Sequence, residues 1–196
     1  MRDKILKFQI FSVIFVWIVG TLLHFTFELF GNNTFVGAFS AVNESTWEHL
    51  KLVFYPSLLI TIIGYFYLEK DVPNFLCSKL KSIIISISFI IIFFYTYTGI
   101  LGTNFALFDI GSFFISIILG EYFIYKDMLS ESNCNNKLAI VILLILTLCF
   151  IVFTYFPPHI GLFKDPVSNT YGIQKWSELK IHFIFINNRN YFYSNS

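Results

Sequence analysis

Five stretches of this chain are each too long and too apolar to be solvated by water, at about residues 8–30, 50–68, 83–102, 105–125 and 138–156. A helix needs about 20 such residues to cross the hydrocarbon core of a bilayer, where every backbone N–H and C=O must find its partner within the segment. The pattern predicts an all-α fold, a polytopic transmembrane helical bundle of about five spans. Composition agrees, because hydrophobic residues make up 56% of the 196 and charged ones 13%, against about 45–50% and about 25% in soluble domains. The first stretch follows MRDKILK but is too long for a signal-peptide core and lacks a small-residue cleavage site, so it is kept as a span. Residues 1–173 read as one membrane domain, and residues 174–196 as a poorly specified tail.

Lys and Arg in short loops set orientation. Arg2, Lys4 and Lys7 precede the first span; Lys70, Lys79 and Lys81 lie between the second and third, and Lys126 and Lys137 between the fourth and fifth. The other side holds Lys51 and the uncharged link Gly102-Thr103-Asn104 before the tail. The N-terminus is therefore expected inside and the C-terminus outside. Lys164, Lys175, Lys180 and Arg189 run against the charge rule, but an odd number of spans still places them outside.

A formal net charge of +1, with Lys and Arg scattered singly, provides no stripe that could follow a phosphate backbone. Nucleic acid is thereby excluded as a partner, which leaves the lipid bilayer and other membrane proteins. Cys77, Cys134 and Cys149 form no CxxC pair, the first two on the expected cytoplasmic side and the third inside a span, so neither a disulfide framework nor a thiolate metal site is expected. No GxSxG, Walker or dinucleotide-binding pattern is present.

One stretch breaks the apolar pattern. FSAVNESTWEHLKLVF, residues 39–54, gathers Asn43, Glu44, Ser45, Glu48, His49 and Lys51 at the expected outer end of the second span. Ser45 and Glu48 have the spacing of a capping box that starts a helix, and Trp47 is expected at headgroup depth. Capping leaves Glu44 and His49 unexplained. In the first span, Trp17, Thr21, His24 and Glu28 share one helical stripe, with His24 and Glu28 at the same outer level. Asp109, Ser112, Ser116 and Gly120 form a polar and small stripe on the fourth span, and the fifth ends at Pro157-Pro158-His159. Pro56 leaves the Leu52 carbonyl without its helical partner one turn beyond the cluster. Glu121, near the inner end of the fourth span, is expected to snorkel or to pair with Lys126.

The segments LHFTFELFGNNTFVGAFSAVNESTWEHLKLVFYP, FYTYTGILGTNF and YFPPHIGLFKDPVSNTYG, in this order, resemble an uncharacterised family of small bacterial multi-pass membrane proteins, a domain of unknown function. The resemblance implies the cytoplasmic (inner) membrane of a bacterium and brings no residue roles with it.

Three functions are compatible with the outer cluster. In the first, the groups hydrogen-bond one another as a structural or binding network. In the second, His24, Glu28, His49, His159 and Asp165 supply ligands for a divalent metal such as zinc, and Glu44 or Glu48 acts as general base in a membrane-embedded hydrolase or transferase on a lipid or envelope substrate. In the third, the protein is a transporter or is proton-coupled, which requires polar groups through both leaflets. The inner halves of spans one, two, three and five offer few of them.

Overall fold

The computed structural model of the chain describes residues 1–68, 71–130 and 134–173. Among these, the backbone forms six α-helices: α1 (Arg2–Leu29), α2 (Thr34–Gly37), α3 (Thr46–Leu68), α4 (Phe75–Leu101), α5 (Ala106–Met128) and α6 (Asn136–Tyr155). A 3-10 turn at Gly161–Phe163 follows, and the described residues include no strand beyond an isolated bridge between Lys164 and Tyr171. All helices except α2 are long and apolar enough to cross a membrane. The expected tail at 174–196 lies outside the described residues.

The long helices run alternately up and down. Met1 and the α3–α4 and α5–α6 links therefore share one face, here the N-terminal face, and residues 30–45, 102–105 and 156–173 share the other, the far face. α1 and α4 begin at Arg2 and Phe75, well before the apolar stretches do, because helical hydrogen bonding continues through the polar first turns where water can still solvate the side chains. Gly102 closes α4 in the left-handed conformation, with φ of 74°, and its N–H returns to Thr98 O.

Large apolar groups point outward. Ile10, Phe11, Ile14, Ile18, Leu22 and Phe25 are exposed along α1, whereas its buried face includes Gln9, Ser12, Val16 and Gly20. Where lipid surrounds the bundle, large side chains lose nothing by facing out, and small or polar ones gain packing and partners inside. α3 is the central helix, 56% buried over its most apolar window against 22–33% for the others, and it packs on α1, α4 and α6.

Pro56 lies within α3, and the carbonyl it frees at Leu52 is covered by α1 at Gly20. A Cβ added to Gly20 would stand 2.4 Å from Leu52 O and 2.8 Å from the Phe113 ring, so only glycine permits this approach.

Cys77 and Cys134 form a disulfide, with Cα atoms 6.0 Å apart, correcting the expectation of free thiols. The α4–α5 hairpin returns the chain to the face where α4 began, so cysteines 57 residues apart become neighbours without any sequence motif. Glu121 also departs from expectation. It is buried against Lys79 of α4 and accepts a hydrogen bond from Ser82, not from Lys126 or solvent. The halves of the spans toward the N-terminal face are correspondingly more polar than their hydropathy suggests, with Gln9, Ser12, Ser78, Lys79, Ser82 and Glu121 all buried.

Candidate metal centre

The chain between α1 and α3 is fastened by side chains before any site can form. Asn33 caps α2 by accepting from the Phe35 N–H at 2.9 Å, and the Ser40 hydroxyl donates to Leu23 O and accepts from the Phe27 N–H, hooking the loop onto α1. Asn43 Oδ1 accepts from the Ser45 N–H, and Asn43 Nδ2 donates to Gly172 O at 2.9 Å, binding the loop to the segment after α6. Glu44 is thus held between two anchored neighbours.

The expected capping box is half formed. The Glu48 N–H donates to Ser45 Oγ at 3.4 Å, but the Glu48 carboxylate does not return to Ser45. It accepts instead from the Val42 N–H at 3.1 Å, pairs with Lys51 and lies 3.2 Å from Thr154 Oγ1 of α6. Lys51 also donates to Gly37 O and Thr154 Oγ1. Glu48, one of the two expected general bases, therefore has both oxygens engaged in joining the loop, α3 and α6. Trp47 is packed among Phe150, Phe153 and Phe163, which closes the turn after α6 onto α3.

His24, Glu44 and His49 come together, each offering a ligand atom within 4.8 Å of the others. The His24 and His49 rings stack with centroids 5.3 Å apart, and His49 Nε2 is 3.3 Å from Glu44 Oε2. His49 Nδ1 is 3.0 Å from Ser45 O. A proton on Nδ1 satisfies that carbonyl and leaves Nε2 directed at the cluster, the arrangement by which a backbone carbonyl orients a metal-ligating imidazole. His24 Nδ1 is buried without a hydrogen-bond partner. When Nε2 carries a proton as well, the His49 ring donates to Glu44 and holds its carboxyl below the usual carboxylate range.

The three groups line a cavity of about 420 Å³ among α1, α3, α4 and α5. Leu52, Ile90, Phe94, Phe113 and Phe114 supply apolar wall, and Asp109 adds a further carboxylate. Asp109 accepts from the Tyr97 hydroxyl and from Asn104 Nδ2, which fixes its rotamer at the start of α5. The sequence places Asp109 on a polar stripe but gives no reason to join it to residues of α1 and α3. Pro166 and Val167 form part of the cavity rim, so the segment after α6 reaches back to the cavity.

The other expected ligands are elsewhere. Glu28 is exposed one turn beyond His24, outside the cluster. His159 is exposed, and its ring lies against Tyr171 at 4.6 Å. Asp165 caps its own turn, accepting from the Val167 N–H and the Ser168 hydroxyl. His159 and Asp165 therefore organise the cover over the cavity, each bound to groups of its own segment.

The fold and the cavity define a multi-pass membrane protein with a polar site at one end of an apolar chamber. Over residues 1–173 the chain matches, and belongs to, a family of unknown function (DUF6512). No curated protein and no solved structure matches it.

Proposed function

We propose that this protein binds a divalent transition metal, best fitted by zinc, through His24, Glu44 and His49, with one coordination position open to a ligand in the cavity. The approach of the three ligand atoms within 4.8 Å carries this reading. Two ligands about 2.0–2.1 Å from a tetrahedral zinc stand about 3.3–3.4 Å apart, and His49 Nε2 and Glu44 Oε2 are 3.3 Å apart. A nitrogen lone pair and a carboxylate facing each other at this distance need a proton or a cation between them. Three protein ligands with an open fourth position are typical of catalytic zinc, whereas structural zinc is closed by four.

The enzyme reading, a hydrolase or transferase acting on a lipid or envelope substrate, is favoured by the mixed lining of the cavity. Zinc would supply a water acidified to about pKa 7. Asp109 and Glu44 line the same cavity, and Asp109 is a carboxylate there outside the proposed ligand set.

The membrane is inferred to be the cytoplasmic membrane of a bacterium, with the cavity at its outer leaflet. The Cys77–Cys134 bridge opposes this orientation, since disulfides persist in oxidising compartments. A reporter active only in the cytoplasm, fused after Gly172, stays silent if the N-terminus is inside; activity there reverses the orientation.

Metal content of protein equilibrated with zinc and freed of excess tests the site. About one zinc per chain is expected. His24→Ala and His49→Ala should each lower occupancy at least about tenfold, while Glu28→Ala and His159→Ala retain it. Absence of stoichiometric metal in the parent protein leaves these groups as a network joining α1 to α3 and ends the metal reading. Because imidazoles must be neutral to bind, occupancy should fall as pH drops below about 6.

A further inference from the structure

The cavity that holds His24, Glu44 and His49 is graded in polarity along the helix axes. Glu44, Thr46, His49, Asn104 and Asp109 belong to the far-face loops or to the first turn of a helix that starts there. The deeper wall is apolar. Leu52 and Phe113 lie six and seven residues beyond the starts of α3 and α5, and Gly20 and Ile90 nine and eleven residues before the ends of α1 and α4. At about 1.5 Å per residue, the chamber reaches about 9–16 Å in from the far face, comparable to one leaflet of a hydrocarbon core about 30 Å thick. The hydroxyls at that depth, Thr21 and Ser112, are turned back to carbonyls of their own helices, Trp17 O at 2.7 Å and Asp109 O at 2.8 Å.

One side of the chamber is a slot. α1 and α5 are joined by hydrogen bonds from Gln9 to Glu121 O and from Trp17 Nε1 to Phe114 O, the second at the chamber floor. Beyond Trp17 these helices line the cavity with Thr21, Phe25 and Ile110, all exposed, Phe25 at 53% and Ile110 at 57%. A membrane lipid has the same gradient as the chamber, a polar head at the interface and an apolar chain beneath it. The volume of about 420 Å³ lies near the lower end of the range for small-molecule sites, about 300–1,000 Å³, and suits one acyl chain with its head.

Charge selects the head. Among the described residues, Glu44 and Asp109 are the carboxylates of the lining, and a divalent metal held by His24, Glu44 and His49 would offset both. Its open position then favours an uncharged oxygen donor over a phosphate, which Asp109 repels, or an ammonium, which the metal repels.

We propose that the cavity binds a single-chain lipid with an uncharged ester or amide head, drawn sideways from the far-face leaflet through the slot between α1 and α5. The chain lies against Leu52, Ile90, Phe94 and Phe113, and the carbonyl meets the metal position among His24, Glu44 and His49. The place of the head rests on the metal reading above; the place of the chain rests on the chamber alone.

A monoacylglycerol carrying a diazirine near the end of its chain, photolysed with the full chain in diacyl-lipid nanodiscs, reads the chain's position through mass spectrometry of labelled peptides. Label is expected at Ile90 and Phe113. Excess unlabelled monoacylglycerol should remove it while leaving label at exposed Ile14 and Leu144, and lysophosphatidic acid should displace it far less. Ile110→Trp, which fills the slot at an exposed position, should lose most of the chamber label, whereas Ile118→Trp, exposed further along α5, should keep it with the same melting curve. The proposal is overturned if label is confined to exposed residues, if competitor does not remove chamber label, if lysophosphatidic acid displaces it equally, or if Ile110→Trp leaves it undiminished. Zinc content of the same samples separates the two readings. Stoichiometric zinc without chamber label keeps the metal site and ends this one; chamber label without zinc ends the metal reading and supports the chain site.

Discussion

Two buried Lys–Glu pairs lie in opposite halves of this bundle, and their surroundings differ more than their chemistry. Glu48 and Lys51 on α3 are saturated: the carboxylate meets the Val42 N–H, Lys51 and Thr154, and the ammonium also reaches Gly37 O. The bonds to Val42, Gly37 and Thr154 tie the loop, α2 and α6 to α3. Glu121 and Lys79 join two adjacent helices and leave one carboxylate oxygen bare. A saturated pair is explained by what it holds together. An unsaturated one in the same kind of environment repays less of its desolvation cost through its own bonds.

The largest expected effect separates the pairs by replacement of both members. Glu48→Ala or Lys51→Met alone should destabilise by about 3–5 kcal/mol, because each strands a buried charge. Replacing the pair together, with Glu48→Leu and Lys51→Met, should remain strongly destabilising, since the Val42 N–H and Gly37 carbonyl lose their partners. At the other pair, Lys79→Met with Glu121→Leu should melt within about 1 kcal/mol of the parent. Detergent melting curves decide it, and equal losses for the two double variants would dissolve the distinction. In the same curves Lys79→Met alone should be nearly as damaging as Lys51→Met, because each strands a buried carboxylate.

Glycines sharpen the comparison at a smaller scale. Gly20→Ala and Gly120→Ala should each cost about 1–3 kcal/mol by forcing helices apart, since the new Cβ would meet Leu52 O at 2.4 Å in the first case and Ser82 O at 2.8 Å in the second. Gly99→Ala, with nothing within 4 Å, should be neutral or slightly stabilising in the same melts.

The smallest effect belongs to an exposed pair. Lys4 Nζ is 2.5 Å from Asp71 Oδ2, and that hydrogen bond holds the Asp71 carboxyl below its usual range. The contribution is present above the ordinary aspartate value of about 3.9 and disappears as pH falls through the depressed one. Asp71→Asn should therefore lower the melting temperature slightly at neutral pH and not at all in strong acid. A large loss at neutral pH would mean that exposed and buried pairs here cannot be separated by solvation.

The five apolar stretches and the all-helical class were legible because a bilayer imposes length and polarity on each segment independently of its neighbours. Glu44 and His49 were conspicuous for the same local reason: a capped helix start has no use for them. The separation of His24, Glu44 and His49 from Glu28, His159 and Asp165 was not legible, because helix rotation and the path of two loops decide which groups converge. Asn43 and Ser40 fix one loop by hydrogen bonds to Gly172 and to α1 that no spacing rule reveals.

The sequence by itself determined that the chain forms long helices suited to a membrane, and that its polar groups concentrate near α1, α3 and α5. Only the tertiary structure decided the partners: Lys79 for Glu121, Thr154 for Glu48, Cys134 for Cys77 and His24 for His49. Periodicity reports which residues share a face of one helix. Which face of another helix they meet depends on packing small residues such as Gly20 and Gly120 against distant backbone, a long-range choice that local pattern does not contain.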